Sequence, residues 1–210
     1  MDDMLRKALR KTRELRNQVE NVLLGEDGDI WEKELKNFLA KRPCWVKEGI
    51  VKIVSPYLHL LTPEPLTLTL TDGIAIIAKA GKVFTGYIDS DFVNHGTNVP
   101  SEPTDEMKVE VCELIKDGQV AEIFGSLSTD LDSLCLTQPQ IIQFVQSHRN
   151  WLRTDGYGTF FLFKATAEFF VAVVDVRSDG RLNAYVFHFD YDRVWRAEYR
   201  YRIVVPQLVA

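Results

Sequence analysis

His188, Asp190 and Asp192 stand at alternate positions, and an imidazole with two carboxylates is a donor set able to hold a divalent cation. A strand running through all three would put them on one face, because strand side chains alternate with a period of two. Asp89 or Asp91 could then supply a remote oxygen. The same residues also suit a turn: Asp190-Tyr191-Asp192 lies where the last connection is expected, and Asp bonds turn backbone well. Metal binding here depends on the strand continuing past His188.

Other residues with reactive side chains form weaker patterns. Asp89-x-Asp91 and Asp130-x-Asp132 lack the further oxygens, the glycine and the distal Glu of a calcium loop, so they read as loop and capping carboxylates. His148 falls on an apolar helical face, where a core histidine is expected, and His59 and His95 have no evident partner. Cys44, Cys112 and Cys135 are odd in number and far apart, with neither a zinc-knuckle nor a CxxC spacing. They read as reduced, small apolar packing residues of a reducing compartment. The sequence holds no GxxxxGK[ST] phosphate loop, GxGxxG turn, GxSxG elbow or HExxH pair. No catalytic residue is assigned on this basis, and no cofactor is expected.

A second constellation joins aromatics to arginines. Arg193, Trp195, Arg196, Tyr199, Arg200 and Arg202 follow one another in a short stretch. Arginines on phosphates with rings stacked on bases are how single strands are held. On a strand, however, Tyr199, Tyr201 and Ile203 would face one side and Arg200 and Arg202 the other, which separates rings from charges. A core-facing aromatic row with solvated arginines is the plainer expectation.

The distribution of charge sharpens this picture. The net charge is -5, which argues against coating nucleic acid over the whole surface. Residues 1–16 carry a net +3, residues 193–202 a net +3 and residues 89–133 a net -9. Basic ends and an acidic middle predict complementarity within the fold or between subunits.

The elements that must position these groups follow from periodicity. Residues 3–24 predict a helix, with Leu5, Ala8, Thr12, Leu15, Val19 and Val22 recurring at spacings of three and four. Asp29 and Glu32 form a capping-box pair for a second helix that Pro43 stops, and the short Gly25–Gly28 link predicts a helical hairpin. The first helix either docks on the second or pairs with another copy or a protein partner. Strands are then expected at 49–54, 66–71, 74–79 and 83–88, with Asp72-Gly73 as the hairpin turn of a β-meander. Thr104 is expected to cap a helix with Met107, Val111, Leu114 and Ile115 on its buried face. Thr137-x-x-Gln140 marks the start of a further helix reaching Leu152. Four runs rich in Phe, Val and Tyr, at 158–164, 168–177, 181–189 and 198–205, close the chain with short links between the first three.

At 210 residues, with 46% hydrophobic and 26% charged, the chain can bury a core without metals or cross-links. The expected fold is α+β: an N-terminal helical hairpin, a β-meander, then helices on a four-stranded antiparallel C-terminal sheet. Residues 1–96 and 104–210 are candidate domains, or halves of one continuous domain, divided by the loop at 94–103. No secretory signal or membrane-length apolar run is found, so a cytoplasmic location without a membrane role is expected. The leading functional expectation is a non-enzymatic binding or interaction protein, with self-association among its options. A nucleic-acid-binding protein built on the basic first helix and the Arg/Tyr strand comes second. A divalent-metal-dependent enzyme built on His188, Asp190 and Asp192 comes third.

Overall fold

The computed structural model describes residues 53–207 and, among the first 50, Val19, Glu20, Leu24, Glu32, Leu35, Lys36 and Leu39. The chain divides into two units, Met1–Ile50 and Val51–Ala210. In the first unit the described residues other than Leu24 are helical, and Glu32 pairs with Lys36 one turn on. The expected helical hairpin, with Trp31 and Phe38 on its buried face, otherwise lies outside the described residues.

The second unit is built on one mixed sheet. Its strands are β1 (Ile53–Ser55), β2 (Leu58–Leu60), β3 (Leu66–Leu68), β4 (Tyr87–Ile88), β5 (Met107–Leu114), β6 (Gly158–Ala165), β7 (Glu168–Val176), β8 (Leu182–His188) and β9 (Arg202–Pro206). They lie in the order β1-β2-β5-β9-β6-β7-β8-β4, with β3 also paired to β5. Residues 53–207 hold three α-helices: α1 (Asp91–Asn94), α2 (Val120–Gly125) and α3 (Gln138–Ser147). None of the described helices is long and apolar enough to cross a membrane.

The sheet is covered on both faces. On one, Ile141, Phe144 and Val145 of α3 and Phe92 of α1 pack on Phe161, Phe163, Phe170, Val174 and Val186. On the other, Val120, Ile123 and Phe124 of α2 pack with Leu58, Cys112, Phe160, Leu162, Trp195 and Ile203. Adjacent residues of β6 therefore serve opposite cores, so the strand reads as an unbroken apolar run. Val145, Phe161, Phe163 and Val186 are all within 2% of full burial. Each such side chain contributes roughly 1.5–3 kcal/mol of burial free energy. The helix at Gln138 starts as the sequence predicts: the Thr137 N–H donates to Gln140 Oε1 at 2.8 Å, and Pro139 sits in the first turn.

Three expectations are corrected. Residues 107–114 form a strand, not a helix. Met107, Val111 and Leu114 satisfy a helical spacing, but Met107, Val109 and Val111 serve one core while Cys112 and Leu114 serve the other. Burial on both faces lets one apolar pattern fit either period, and pairing with β2, β3 and β9 decides it. The meander of 66–71, 74–79 and 83–88 is also absent. The Leu/Thr alternation does make β3, but its partner is β5, and Thr71 bridges Thr104. After the Asp72-Gly73 turn, Ile77 is buried and its N–H is taken by the Gln138 side chain at 3.0 Å. Residues 77–79 are a 3-10 turn, and Tyr87–Ile88 pairs in parallel with β8.

The third correction concerns the C-terminal sheet, which is not a four-stranded antiparallel unit. β6, β7 and β8 are antiparallel neighbours, as their short links predict. The chain then recrosses the sheet, so that β9 runs parallel to β6 and antiparallel to β5. Trp195 holds this crossover. Its ring lies 4.7 Å from Phe160, 5.9 Å from Phe187 and 5.2 Å from Tyr201, centroid to centroid. Its backbone exchanges two hydrogen bonds with Gly118, at 2.8 and 3.1 Å. The indole N–H is buried without a hydrogen-bond partner among the described residues.

Trp195→Ala is expected to cost about 3–5 kcal/mol in urea unfolding, the range for removing a buried aromatic. Trp195→Phe keeps most of the apolar volume and removes the unpaired donor, so its cost is expected to stay below about 1.5 kcal/mol. The adjacent Val194, 53% exposed, is the control, with an expected change within about 0.5 kcal/mol on substitution by Ala.

Candidate functional site

The site lies where β8 ends. Leu182, Ala184 and Val186 enter the core beneath α3, and His188 continues that face at the rim, its side chain 43% exposed. The other wall is α1, whose four residues are too few to hold a helix by their own hydrogen bonds. Tertiary contacts hold it instead. The Asp89 N–H donates to Ala184 O at 2.9 Å, tying the chain to β8, and Asp89 Oδ1 accepts from the Asp91 N–H at 3.1 Å. Phe92 is fully buried. Past the helix, the Thr97 hydroxyl donates to Phe92 O at 2.9 Å, and Gln138 Nε2 donates to Thr97 O at 2.6 Å.

His95 caps α1, donating its backbone N–H to Asp91 O at 3.0 Å, and Gly96 turns the chain away with φ of +67°. That left-handed conformation is the usual helix stop and favours glycine.

These supports bring two histidines from distant parts of the chain together. His188 Nε2 lies 3.2 Å from His95 Nδ1, within hydrogen-bond reach, and either ring can donate. The rings meet edge to face, with centroids 4.4 Å apart, and both lie against Phe170. Each outward nitrogen faces a carboxylate: Asp91 Oδ2 is 3.8 Å from His95 Nε2, and Glu168 Oε2 is 4.0 Å from His188 Nδ1. The four side chains run in line, carboxylate, imidazole, imidazole, carboxylate.

A cleft of about 710 Å³ opens beside the pair, lined by Asp91, His95, Val186, Phe187, His188, Asp190, Tyr191 and Asp192. Tyr191 stacks on Phe187, with centroids 5.2 Å apart and planes 9° from parallel. The Tyr191 N–H donates to His188 O at 3.1 Å, which closes a turn directly after the strand. Gln119 Nε2 donates to Asp192 O at 3.0 Å and anchors the far end of that turn.

His188, Asp190 and Asp192 thus line one cleft, together with Asp91. They do so from a strand end and a turn, since β8 stops at His188. Among the described residues no group of three or more His, Cys, Asp or Glu side chains is arranged to hold a metal ion. The sequence left His95 without a partner, because nothing local signals the parallel β4–β8 pairing that delivers it. No family model, curated protein or solved structure matches this chain.

The arginine and aromatic stretch is arranged differently. Trp195 and Tyr201 are buried, and Tyr199 stacks on Tyr157 at 4.8 Å. Arg196 pairs with Glu198 and Arg200 with Glu113, while Arg193 lies over Trp195 at 4.4 Å. Arg202 donates to the Leu152 carbonyl at 3.1 Å, and burial pushes its guanidinium below the ordinary arginine range. Trp195 and Tyr201 thus serve the core, Tyr199 packs on Tyr157, and the arginines are engaged within the chain. Cys135 offers no nucleophile at neutral pH. Burial, then the Asp132 carboxylate, push its thiol up to about 12, and its Sγ–H donates to Leu131 O at 3.3 Å.

Gly96→Ala is expected to cost about 1–2 kcal/mol in urea unfolding, because an L-residue resists the left-handed conformation. No atom lies within 4 Å of the added methyl, so backbone strain alone acts. A variant as stable as the parent would show that residue 96 does not hold this conformation.

Proposed function

We propose that this chain is a non-enzymatic binding protein, and that its ligand is a small cationic species held in the cleft at the end of β8. One observation carries this reading. Three carboxylates, Asp91, Asp190 and Asp192, line the cleft with two histidines and two aromatic rings, and its lining contains neither Lys nor Arg. Carboxylates grouped in a concavity attract positive charge and disfavour anions. Aromatic faces beside them favour a cation further. A concave site with a few convergent polar groups is also the usual form of a ligand pocket. The basic stretch after Asp192 supports a nucleic-acid reading less well, because its indole and Tyr201 rings are buried where no base can stack.

The test is a thermal-shift panel on the tag-free chain, comparing polyamines and divalent metal salts with nucleotides and a single-stranded oligonucleotide. A ligand at a hundred times its Kd stabilises the native state by about 2.7 kcal/mol. In a domain of this size that is roughly 5–10 °C in Tm. Polyamines are expected to produce such a shift, and Asp190→Asn/Asp192→Asn is expected to remove most of it. Stabilisation by the oligonucleotide instead, or a polyamine shift untouched by the double variant, would overturn the reading.

A further inference from the structure

The geometry points to a specific ligand for this cleft: we propose that His95 Nδ1 and His188 Nε2 together bind a late first-row divalent metal ion, such as zinc, copper or nickel. The proposal rests on the cationic-cleft reading and narrows it. With metal–nitrogen bonds of about 2.0–2.1 Å and bond angles of roughly 90–110°, two nitrogens on one ion lie about 2.9–3.4 Å apart. The observed 3.2 Å falls inside that interval.

The outward nitrogens supply the second, independent argument. A metal-binding histidine typically presents its other N–H to a carboxylate, which fixes the tautomer and raises the basicity of the ligating nitrogen. Each ring has a carboxylate near its outward nitrogen, Asp91 for His95 and Glu168 for His188, at 3.8 and 4.0 Å, about 1 Å longer than a hydrogen bond, so each contact must tighten when the metal binds. In the metal-free pair one inward nitrogen carries the hydrogen that the other accepts. Binding moves that hydrogen to the outward nitrogen of the same ring, beside its carboxylate. Both inward lone pairs are then free for the ion, and no proton need leave the protein. Imidazole nitrogen selects zinc, copper and nickel over magnesium and calcium, which prefer all-oxygen sites.

The chain supplies two nitrogens and no third close ligand, since no larger donor group is assembled among the described residues. Water or a bound small molecule completes the coordination, with Asp190 and Asp192 on the same cleft wall adding negative charge. The scaffold suits such a site, because Phe170 backs both rings and β8 and α1 are tied together by the Asp89–Ala184 hydrogen bond.

Calorimetric titration of zinc chloride into the tag-free full chain tests the assignment, with copper electron paramagnetic resonance as a readout that needs no variant. Zinc is expected to bind with a stoichiometry of one at this site. His95→Ala/His188→Ala is expected to abolish that binding, and His95→Gln/His188→Gln serves if the alanine pair does not fold. Glu168→Gln or Asp91→Asn is expected to weaken it about 10–100-fold. His148→Ala, at a ring that contacts the Thr67 carbonyl, should leave it unchanged. The copper spectrum is expected to show two imidazole nitrogens. Zinc affinity that survives both double variants overturns the proposal, as does a copper spectrum without imidazole nitrogen. If zinc does not bind while polyamines still stabilise the protein through Asp190 and Asp192, the metal assignment falls and the cationic cleft stands. If neither binds, both fall.

Discussion

The seat of Trp195 is the contact on which the rest of the structure depends. Without a return across the sheet after β8, β9 could not reach the place between β5 and β6 where both its edges are paired. A long irregular crossover has little secondary structure to hold it, so its position must come from burial. The indole provides that, enclosed by Phe160, Phe187 and Tyr201, with its backbone clipped to Gly118. The crossover leaves the sheet at His188, and its first turn is the wall of the cleft. One anchor therefore completes the sheet and shapes the site.

The cleft owes its chemistry to the opposite wall. A helix of four residues has no stability of its own, and α1 exists because Phe92 is buried and because Thr97 and Gln138 take up the chain beyond it. His95 is thereby held by core packing and buried hydrogen bonds. His188 is held by the register of the β7–β8 ladder, directly opposite Phe170. Two imidazoles are thereby set 3.2 Å apart by separate elements, and side chains positioned by packing and buried hydrogen bonds are what a binding site requires.

What the residues revealed before the structure follows from the range of the interactions involved. The β6–β7–β8 meander and α3 were legible because short turns and a capping pair at Thr137 and Gln140 are local signals. β5 was not, because Met107, Val111 and Leu114 fit a helical face and a strand buried on both sides equally well. The crossover to β9 was invisible, since no local pattern tells a strand which partner it will meet. At the site, His188, Asp190 and Asp192 stood out by spacing, and the reason for noticing them, a continuous strand, is absent. They share a cleft because the strand turns. His95 and Glu168 could not be found, as each meets His188 only through pairings between distant segments.

The most direct test of the central claim, that His95 and His188 form one binding centre in the cleft, is long-range proton–nitrogen NMR of the imidazole side chains during titration with substoichiometric copper. The tag-free chain has four histidines, each expected to give its own signal, and a paramagnetic ion broadens those it touches. The account predicts that His95 and His188 vanish together while His59 and His148 stay sharp. Broadening of His59 or His148 first, or His95 and His188 responding independently of one another, would contradict it.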